Sequence, residues 1–254
     1  MPILIYVFFG DKVRKLDPNI CSYMGKVNGS SNLDASVYNK FSDDQIILNL
    51  NYDGMYGINN INAIMQGQNK NPSVQWGVHV YKVGDPIIFM ESTRFENIFY
   101  NNLKGRITKI QLNSAPNRVT FDVEIDRILT SMLPPDNEYE IIRFNKSSTE
   151  VRFNVYEPTD SEDEDSEKCM IPFIVCYATS IHKSQGLEYK SVKIIITKDN
   201  IQNITHNIFY TAITRAKDKL TIYWTKETEL AVINNLTIKN INRDLNIFKL
   251  NTQS

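Results

Sequence analysis

A run of polar residues lies between two apolar runs at Tyr177–Tyr189, a stretch called the polar segment below. It holds hydroxyl, amide, imidazole, ammonium and carboxylate groups around one glycine: Ser180, His182, Lys183, Gln185, Gly186 and Glu188. Ligands of open α/β sheets bind beyond the carboxyl ends of strands, where this segment is expected to lie. Glycine lets the backbone approach a ligand closely, and Ser180 can cap the turn that follows. The residues alone leave an ordinary polar strand-to-helix connection equally open.

A second stretch, Phe209–Lys219, is called the arginine segment because it carries Arg215. The pattern predicts a helix over Asn207–Lys217, with an apolar stripe at i, i+3, i+4 and i+7 formed by Phe209, Ala212, Ile213 and Ala216. Arg215 falls on the flank of that stripe, where it could reach across an interface. Arginine suits a γ-phosphate because it stays charged and donates through two nitrogens. Taken by itself, Arg215 is also consistent with a surface ion pair.

Taken together, the two segments resemble consecutive motifs of RecD-like superfamily 1 DNA helicases. Ser180–Tyr189 is similar to motif V of that family and Tyr210–Lys217 to motif VI, in the family's order and with a strand between them. Upstream similarities are found at Gln45–Leu48 followed by Gly54, Gly57, Asn62 and Gln66, and at Val83–Ile88 and Asn101–Ile107. The first of these resembles the opening of the second motor domain, and the last two resemble an inserted SH3-like barrel. The resemblance covers about residues 43–225.

The resemblance implies an α/β fold: a RecA-like second motor domain with a parallel sheet, interrupted by a small SH3-like β-barrel. It also implies roles by position. The residues expected to contact single-stranded DNA are Ser180, His182 and Lys183. Those expected to face the nucleotide are Gln185, Gly186, Glu188 and Arg215, with Glu188 near the ribose and Arg215 as the catalytic residue at the γ-phosphate. Movement in the 5′-to-3′ direction is implied only by the family, and the residues do not distinguish DNA from RNA.

The sequence contains no Gly-x-x-x-x-Gly-Lys-Ser/Thr, the loop whose backbone cradles the β- and γ-phosphates. We therefore expect no ATP hydrolysis by this chain alone. ATP and Mg²⁺ are expected only in complex with a P-loop motor domain on another chain or in a missing segment. Two local departures from the family pattern stand out. Asn51–Gly54 lacks a basic residue before its glycine, so we assign no phosphate contact there, and Ser92–Phe95 replaces the usual Asn-Asp-aromatic turn of the barrel.

Two functions from different classes are consistent with these features. The first is the C-terminal motor half of an ATP-dependent DNA helicase that works against a P-loop partner. The second is a non-enzymatic nucleic-acid-binding or interaction module that retains a degenerate helicase fold. The retained Gln185, Glu188 and Arg215 favour the first, because a pure binding module has no need of groups that face a nucleotide.

The elements that position these segments change in character along the chain. Residues 1–75 predict a strand at Ile3–Phe9, a second at Gln45–Leu50 and a helix with Ile58, Ile61, Ile64 and Met65 on one face. Residues 76–157 predict short β-strands separated by turns, typical of a small barrel or sandwich. Residues 169–254 alternate strands, at Phe173–Ala178, Val192–Thr197 and Lys219–Trp224, with helices, which indicates a parallel sheet. The stretch between, 158–168, is predicted to be an acidic linker.

The charge is unevenly distributed, although the net charge is only −1. Glu157–Lys168 holds seven acids and one lysine, and without it the chain has 27 basic and 22 acidic residues. Such a body permits phosphate contacts without demonstrating them. The cysteines Cys21, Cys169 and Cys176 lack metal spacing and suggest reduced thiols of an intracellular protein, in cytoplasm or nucleus. With no apolar run of about 18 residues, no membrane partner is expected.

Overall fold

The structure is a computed structural model that describes residues 6–9, 12–15, 21–23, 35–40, 42–90, 95, 98–114, 117–129, 139–157 and 169–237. Its contacts divide the chain into two compact units. The α/β unit comprises residues 1–58 and 180–254, and the β unit comprises residues 59–179.

In chain order the strands are β1 (Tyr6–Phe9), β2 (Lys12–Lys15), β3 (Cys21–Tyr23), β4 (Gln45–Asn49), β5 (Ser73–Trp76), β6 (His79–Lys82), β7 (Pro86–Phe89), β8 (Lys104–Ser114), β9 (Asn117–Ile125), β10 (Tyr139–Phe144), β11 (Thr149–Tyr156), β12 (Phe173–Val175), β13 (Ala178–Ser180), β14 (Tyr189–Ile195) and β15 (Ala216–Trp224). The α-helices are α1 (Ile58–Gln68), α2 (His206–Ile213) and α3 (Lys226–Thr237). Short 3₁₀ helices lie at Ala35–Tyr38 and Lys198–Asn203. None of the helices in the described part of the chain is long and apolar enough to cross a membrane.

The α/β unit is organised around strands β4, β14, β15 and β3 of a five-stranded sheet whose order is β13-β4-β14-β15-β3. The β4–β14, β14–β15 and β15–β3 pairs are parallel. The stretch Leu220–Trp224 is buried at every position, as expected for a strand covered on both faces. The parallel α/β architecture predicted from the alternation of strands and helices is therefore confirmed. Helix α2 begins after Thr205, whose side chain accepts a hydrogen bond from the Ile208 backbone N–H and so caps the helix.

The central strand β14 carries a fully buried lysine, Lys193. Its ammonium donates to the carbonyls of Val37, at 2.6 Å, and Asn39. It also lies 5.9 Å from the centre of the Tyr223 ring. Because a buried ammonium must be compensated, these contacts fix the 3₁₀ helix at Ala35–Tyr38 onto the sheet.

The β unit contains a six-stranded antiparallel sheet with the order β10-β11-β9-β8-β7-β12, and a separate β5–β6 hairpin. Strands β11 and β12 are separated in that order by three others, which in a flat sheet places them roughly 19 Å apart. Yet the rings of Phe153 on β11 and Phe173 on β12 are only 6.1 Å apart. The sheet is therefore strongly curled around a common core. That core is aromatic, with Phe99 between Phe89 at 5.2 Å and Tyr139 at 5.1 Å.

A buried carboxylate, Asp85, joins the turn after β6 to the end of α1 within the β unit. Its Oδ1 accepts from Asn69 Nδ2 and from the Tyr177 hydroxyl, both at 2.7 Å. Its Oδ2 accepts from Gln66 Nε2 at 2.6 Å and from the Lys82 backbone N–H at 2.9 Å. Burial, and then the hydrogen bond to Asp85, raise the pKa of Tyr177 well above its usual value.

Two predicted boundaries differ in the structure. The predicted strand Phe173–Ala178 is two strands, and only β13 joins the parallel sheet. β12 pairs antiparallel with β7 in the other sheet, because Phe173 packs against the rings of Tyr81 and Phe121 at 6.2 and 5.3 Å. All of helix α1 except Ile58 belongs to the same compact unit as the six-stranded sheet. The β unit, 59–179, is therefore longer than the predicted insertion, 76–157.

The predicted helix Asn207–Lys217 is also too long, since α2 ends at Ile213. The Thr214 hydroxyl donates toward the carbonyls of Tyr210 and Thr211, at 2.9 and 3.1 Å, at the helix end. From Ala216 the backbone pairs with β14 instead, and Ala216 is buried at the start of β15 rather than on a helical stripe. The predicted burial of Phe209, Ala212 and Ile213 is confirmed. The acidic stretch 158–168 lies outside the described residues.

Candidate functional site

The polar segment forms a tight turn between β13 and β14. Ser180 caps this turn, as predicted, because its Oγ accepts from the Lys183 backbone N–H at 3.2 Å. The Ser180 carbonyl accepts from the Ser184 backbone N–H at 3.1 Å, and the Ser184 hydroxyl donates to the Ile181 carbonyl at 2.7 Å. Gly186 has a φ of +83°, a left-handed conformation that a side chain would strain. The turn is thus held by its own backbone and hydroxyls.

Some side chains of this turn are buried and others are exposed to solvent. Ser180 is buried, whereas His182, Lys183, Gln185 and Glu188 are exposed, as is Gly186. The hydrogen bonds of the turn use Ser180 and Ser184, so the imidazole, ammonium and amide groups are left facing solvent on a fixed backbone. Ser180 therefore acts on the shape of the turn, and the exposed residues are the ones placed to meet a ligand.

Arg215 lies just after α2, half-buried, and its guanidinium is held on three sides. Nε donates to the Thr211 carbonyl at 2.9 Å, Nη1 to the Leu187 carbonyl at 2.9 Å, and Nη2 to Thr214 Oγ1 at 3.0 Å. A guanidinium has five N–H groups, so three are used here and two remain for an acceptor from outside the described residues. The contacts fix the plane of the guanidinium while keeping donors available.

The structure brings the polar and arginine segments together, as the resemblance implied. The Arg215 guanidinium bonds to the Leu187 carbonyl, and the Tyr189 backbone N–H donates to the Arg215 carbonyl at 2.8 Å. Glu188 and Lys217 form an ion pair at 3.2 Å, although both side chains are more than half exposed. The parallel pairing of β14 with β15 produces this proximity, because it aligns Tyr189 with Ala216.

Two buried asparagines that the sequence analysis missed tie together the loops at this edge of the sheet. Asn49, at the end of β4, accepts through Oδ1 from Asn200 Nδ2 at 3.2 Å. Its amide nitrogen donates to the Tyr56 carbonyl, and its backbone carbonyl accepts from the Ile181 N–H at 3.2 Å. Asn200 Oδ1 in turn accepts from the Thr197 backbone N–H at 3.0 Å. The one available sequence signal was their position near the end of an apolar run, since Asn49 ends β4 and Asn200 lies in the 3₁₀ helix that follows β14.

The loop after β4 lies next to the polar segment within the α/β unit. The ammonium of Lys183 is 5.9 Å from the centre of the Tyr52 ring, a cation–π geometry. Tyr52 is 44% exposed, so the pair is accessible from solvent. Among the described residues no group of three or more His, Cys, Asp or Glu side chains is placed to hold a metal ion.

Comparison with known proteins shows what the two segments of this site are similar to. Residues 175–223, which include both the polar-segment turn and Arg215, match the UvrD-like helicase C-terminal domain. Over these residues the chain is similar to the C-terminal domain of UvrD-like helicases.

The particular resemblance is to RecD. The chain is 24% identical over 196 residues to the RecBCD enzyme subunit RecD of Buchnera aphidicola subsp. Schizaphis graminum (strain Sg), over 75% of this chain and 26% of that protein. The predicted resemblance to the C-terminal half of a RecD-like superfamily 1 helicase is thereby confirmed. The chain spans about a quarter of the length of this relative.

Solved structures of Pif1 helicases superpose only partly on the chain. Bacteroides Pif1 bound to ssDNA is 16% identical with a TM-score of 0.40, over 76% of this chain and 45% of that chain. The Pif1 helicase from Candida albicans is 16% identical with a TM-score of 0.38, over 74% and 48%. The sequence matches, and not these superpositions, support the resemblance.

Proposed function

We propose that this chain is the C-terminal motor half of an ATP-dependent, RecD-like DNA helicase. The observation that carries the proposal is the contact between the polar and arginine segments. There the Arg215 guanidinium is fixed by a hydrogen bond to the Leu187 carbonyl and still has N–H groups available for a ligand. Arg215 then supplies positive charge to the γ-phosphate of ATP bound by a P-loop domain on another chain or outside these 254 residues. Gln185, Gly186 and Glu188 face the same nucleotide, and Mg²⁺ is held with it by the P-loop partner.

The DNA side of the proposed site is the exposed part of the turn. His182 and Lys183 contact the backbone of a single strand, and Ser180 holds the turn in the conformation that presents them. Phosphate contacts of this kind weaken as salt rises, because bound counterions are released. The curled sheet of the β unit is the proposed SH3-like barrel, which guides the strand, and family resemblance suggests 5′-to-3′ movement.

The first test measures phosphate release with single-stranded DNA present. The isolated chain should show negligible turnover, since its sequence has no P-loop. Combined with a P-loop motor domain that restores turnover, Arg215→Ala should lower the rate by about 10³-fold or more, the range found for arginines that meet a γ-phosphate. Lys226→Ala, which alters an exposed cation at the start of α3, is the matched control and should leave the rate unchanged.

Turnover by the isolated chain that disappears in Arg215→Ala would show that the chain holds a complete ATP site, and the half-motor proposal would be wrong. If no P-loop domain restores turnover, while single-strand binding remains, the chain is the alternative predicted from sequence: a non-enzymatic nucleic-acid-binding module.

A further inference from the structure

The loop Asn51–Gly57, at the carboxyl end of β4, is built as a rigid support. The Gly57 N–H donates to the Gly54 carbonyl and the Ile58 N–H to the Asn51 carbonyl, both at 3.0 Å. A Cβ at Gly57 would collide with the Asp53 carbonyl, so only glycine allows the chain to fold back this tightly. Gly54 has a φ of +92°, which likewise favours glycine. The loop therefore has little conformational freedom to lose when it binds a ligand.

This rigid loop presents two large apolar side chains to solvent. Tyr52 is 44% exposed and Met55 is 47% exposed. The Lys183 ammonium lies over the Tyr52 ring at 5.9 Å, and the neighbouring His182 is also exposed. The buried Asn49 holds the loop and the polar-segment turn together, because it bonds to both the Tyr56 carbonyl and the Ile181 N–H. An exposed aromatic ring is thus fixed beside Lys183, one of the groups already proposed to contact a DNA backbone.

We propose that Tyr52 is a stacking platform for an unpaired base of the single strand whose phosphates contact Lys183 and His182. Any nucleobase stacks on an aromatic face, and a cation beside the ring is well placed for the adjoining phosphate. The acidic Asp53 next to Tyr52 disfavours a phosphate at the loop itself, so the loop contributes a contact with a base. This assignment rests on the proposed function, because it extends the same strand-binding surface.

The experiment compares an oligothymidine with an abasic oligonucleotide of equal length, by fluorescence anisotropy on the full chain. The wild type should bind the oligothymidine more tightly than the abasic strand. Tyr52→Ala should weaken oligothymidine binding by roughly five-fold or more, the effect of removing one base–aromatic stack, and leave abasic binding unchanged. Tyr52→Phe should retain wild-type affinity for both strands. Lys183→Gln should weaken both strands and reduce the salt dependence.

The matched control is Leu230→Ala, which alters an apolar side chain of the same unit that is 46% exposed, and it should bind both strands as the wild type does. Wild-type affinity for oligothymidine in Tyr52→Ala, with salt-sensitive binding intact, would overturn the stacking platform and leave the proposed function standing. An equal loss on both strands in Tyr52→Ala would also overturn it, because it would indicate a disturbed loop. If the wild type binds neither strand at any salt concentration, the stacking platform and the strand-binding part of the proposed function both fail.

Discussion

The buried cluster around Asp85 in the β unit and the cluster around Arg215 in the α/β unit are both dense in hydrogen bonds, yet they differ in what they leave available. Asp85 is completely buried, and its two oxygens accept four hydrogen bonds from within the unit. Arg215 is half-buried and uses three donors, while its neighbours His182 and Gln185 face solvent. Asp85 thus has its hydrogen-bonding capacity filled from within the unit, whereas Arg215 is held in place and retains N–H donors for a ligand.

This difference separates a structural polar cluster from a candidate site. A buried carboxylate needs all its partners, because each stranded donor or acceptor costs free energy, so a saturated cluster stabilises the fold. A site must hold its groups in place and still retain donors or acceptors for a ligand, which limits its contribution to stability. We therefore expect substitutions at Asp85 to act mainly on the free energy of unfolding, and substitutions around Arg215 to act mainly on function.

The largest effect is expected for Asp85→Ala. It strands the side chains of Gln66, Asn69 and Tyr177 and the Lys82 backbone N–H, and should lower the free energy of unfolding by roughly 3 kcal/mol or more. Urea unfolding of the full chain followed by circular dichroism measures it. If the variant does not fold, Asp85→Asn, which keeps one acceptor, should show an intermediate loss.

The control for this prediction is Asp122→Ala. Asp122 is also buried, but its partner Arg152 is 31% exposed on the outside of the sheet, so the arginine stays hydrated when its partner is removed. The loss should be clearly smaller than for Asp85→Ala. An equal loss in both variants would contradict the distinction between a saturated interior cluster and an ion pair whose arginine is partly exposed.

A pH-dependent effect of intermediate size is expected at Tyr81, in the core of the β unit. Burial raises the pKa of Tyr81 from 10.0 to about 12. The folded state then keeps a proton that the unfolded state releases, so this contribution to stability is full below pH 10 and is lost as pH rises to about 12. The loss amounts to about 1–2 kcal/mol. Tyr81→Phe should lose less stability than the wild type between pH 10 and 12 in urea unfolding.

The comparison variant is Tyr100→Phe, since Tyr100 is 43% exposed. Its decline in stability between pH 10 and 12 should equal that of the wild type. If Tyr81→Phe declines as steeply as the wild type, Tyr81 does not contribute to the alkaline loss of stability.

The smallest effect is expected for Glu188→Gln. The pair Glu188–Lys217 is more than half exposed on both sides, and such pairs contribute less than about 1 kcal/mol. Thermal unfolding should therefore be nearly unchanged, whereas the turnover restored by a P-loop domain should fall if Glu188 faces the ribose. If Glu188→Gln instead unfolded at a much lower temperature, Glu188 would have a mainly structural role, as Asp85 has.

Much of the candidate site could be predicted from sequence because its residues are close together along the chain. The turn at Ser180–Gly186 is formed by hydrogen bonds between near neighbours, so its cap was predictable from the position of a serine after an apolar run. The helix α1 followed from the spacing of Ile58, Ile61 and Met65. The assigned roles of His182, Lys183, Gln185, Gly186, Glu188 and Arg215 remain proposals.

What could not be predicted depends on partners far away in sequence. The periodicity at Phe209–Ala216 fits a helix, but pairing with β14 draws Ala216 into a strand and leaves Arg215 in the turn. Nothing in the sequence pairs Asn49 with Asn200. Their hydrogen bond forms because β4 and β14 lie side by side, which brings the ends of the two strands together. Likewise, the apolar run at Phe173–Ala178 does not reveal which sheet each of its parts joins.

The alternation of strands and helices around the polar segment could be predicted from the residues alone, because it depends on side-chain period and short-range hydrogen bonds. The order of the two helicase-like motifs is likewise visible in the sequence. Three long-range contacts appear only in the folded chain: the Arg215 guanidinium bonds to the Leu187 carbonyl, Asp85 is buried among four donors, and Lys183 lies over Tyr52. Those contacts require strand pairing and packing between distant segments, which no local pattern of residues specifies.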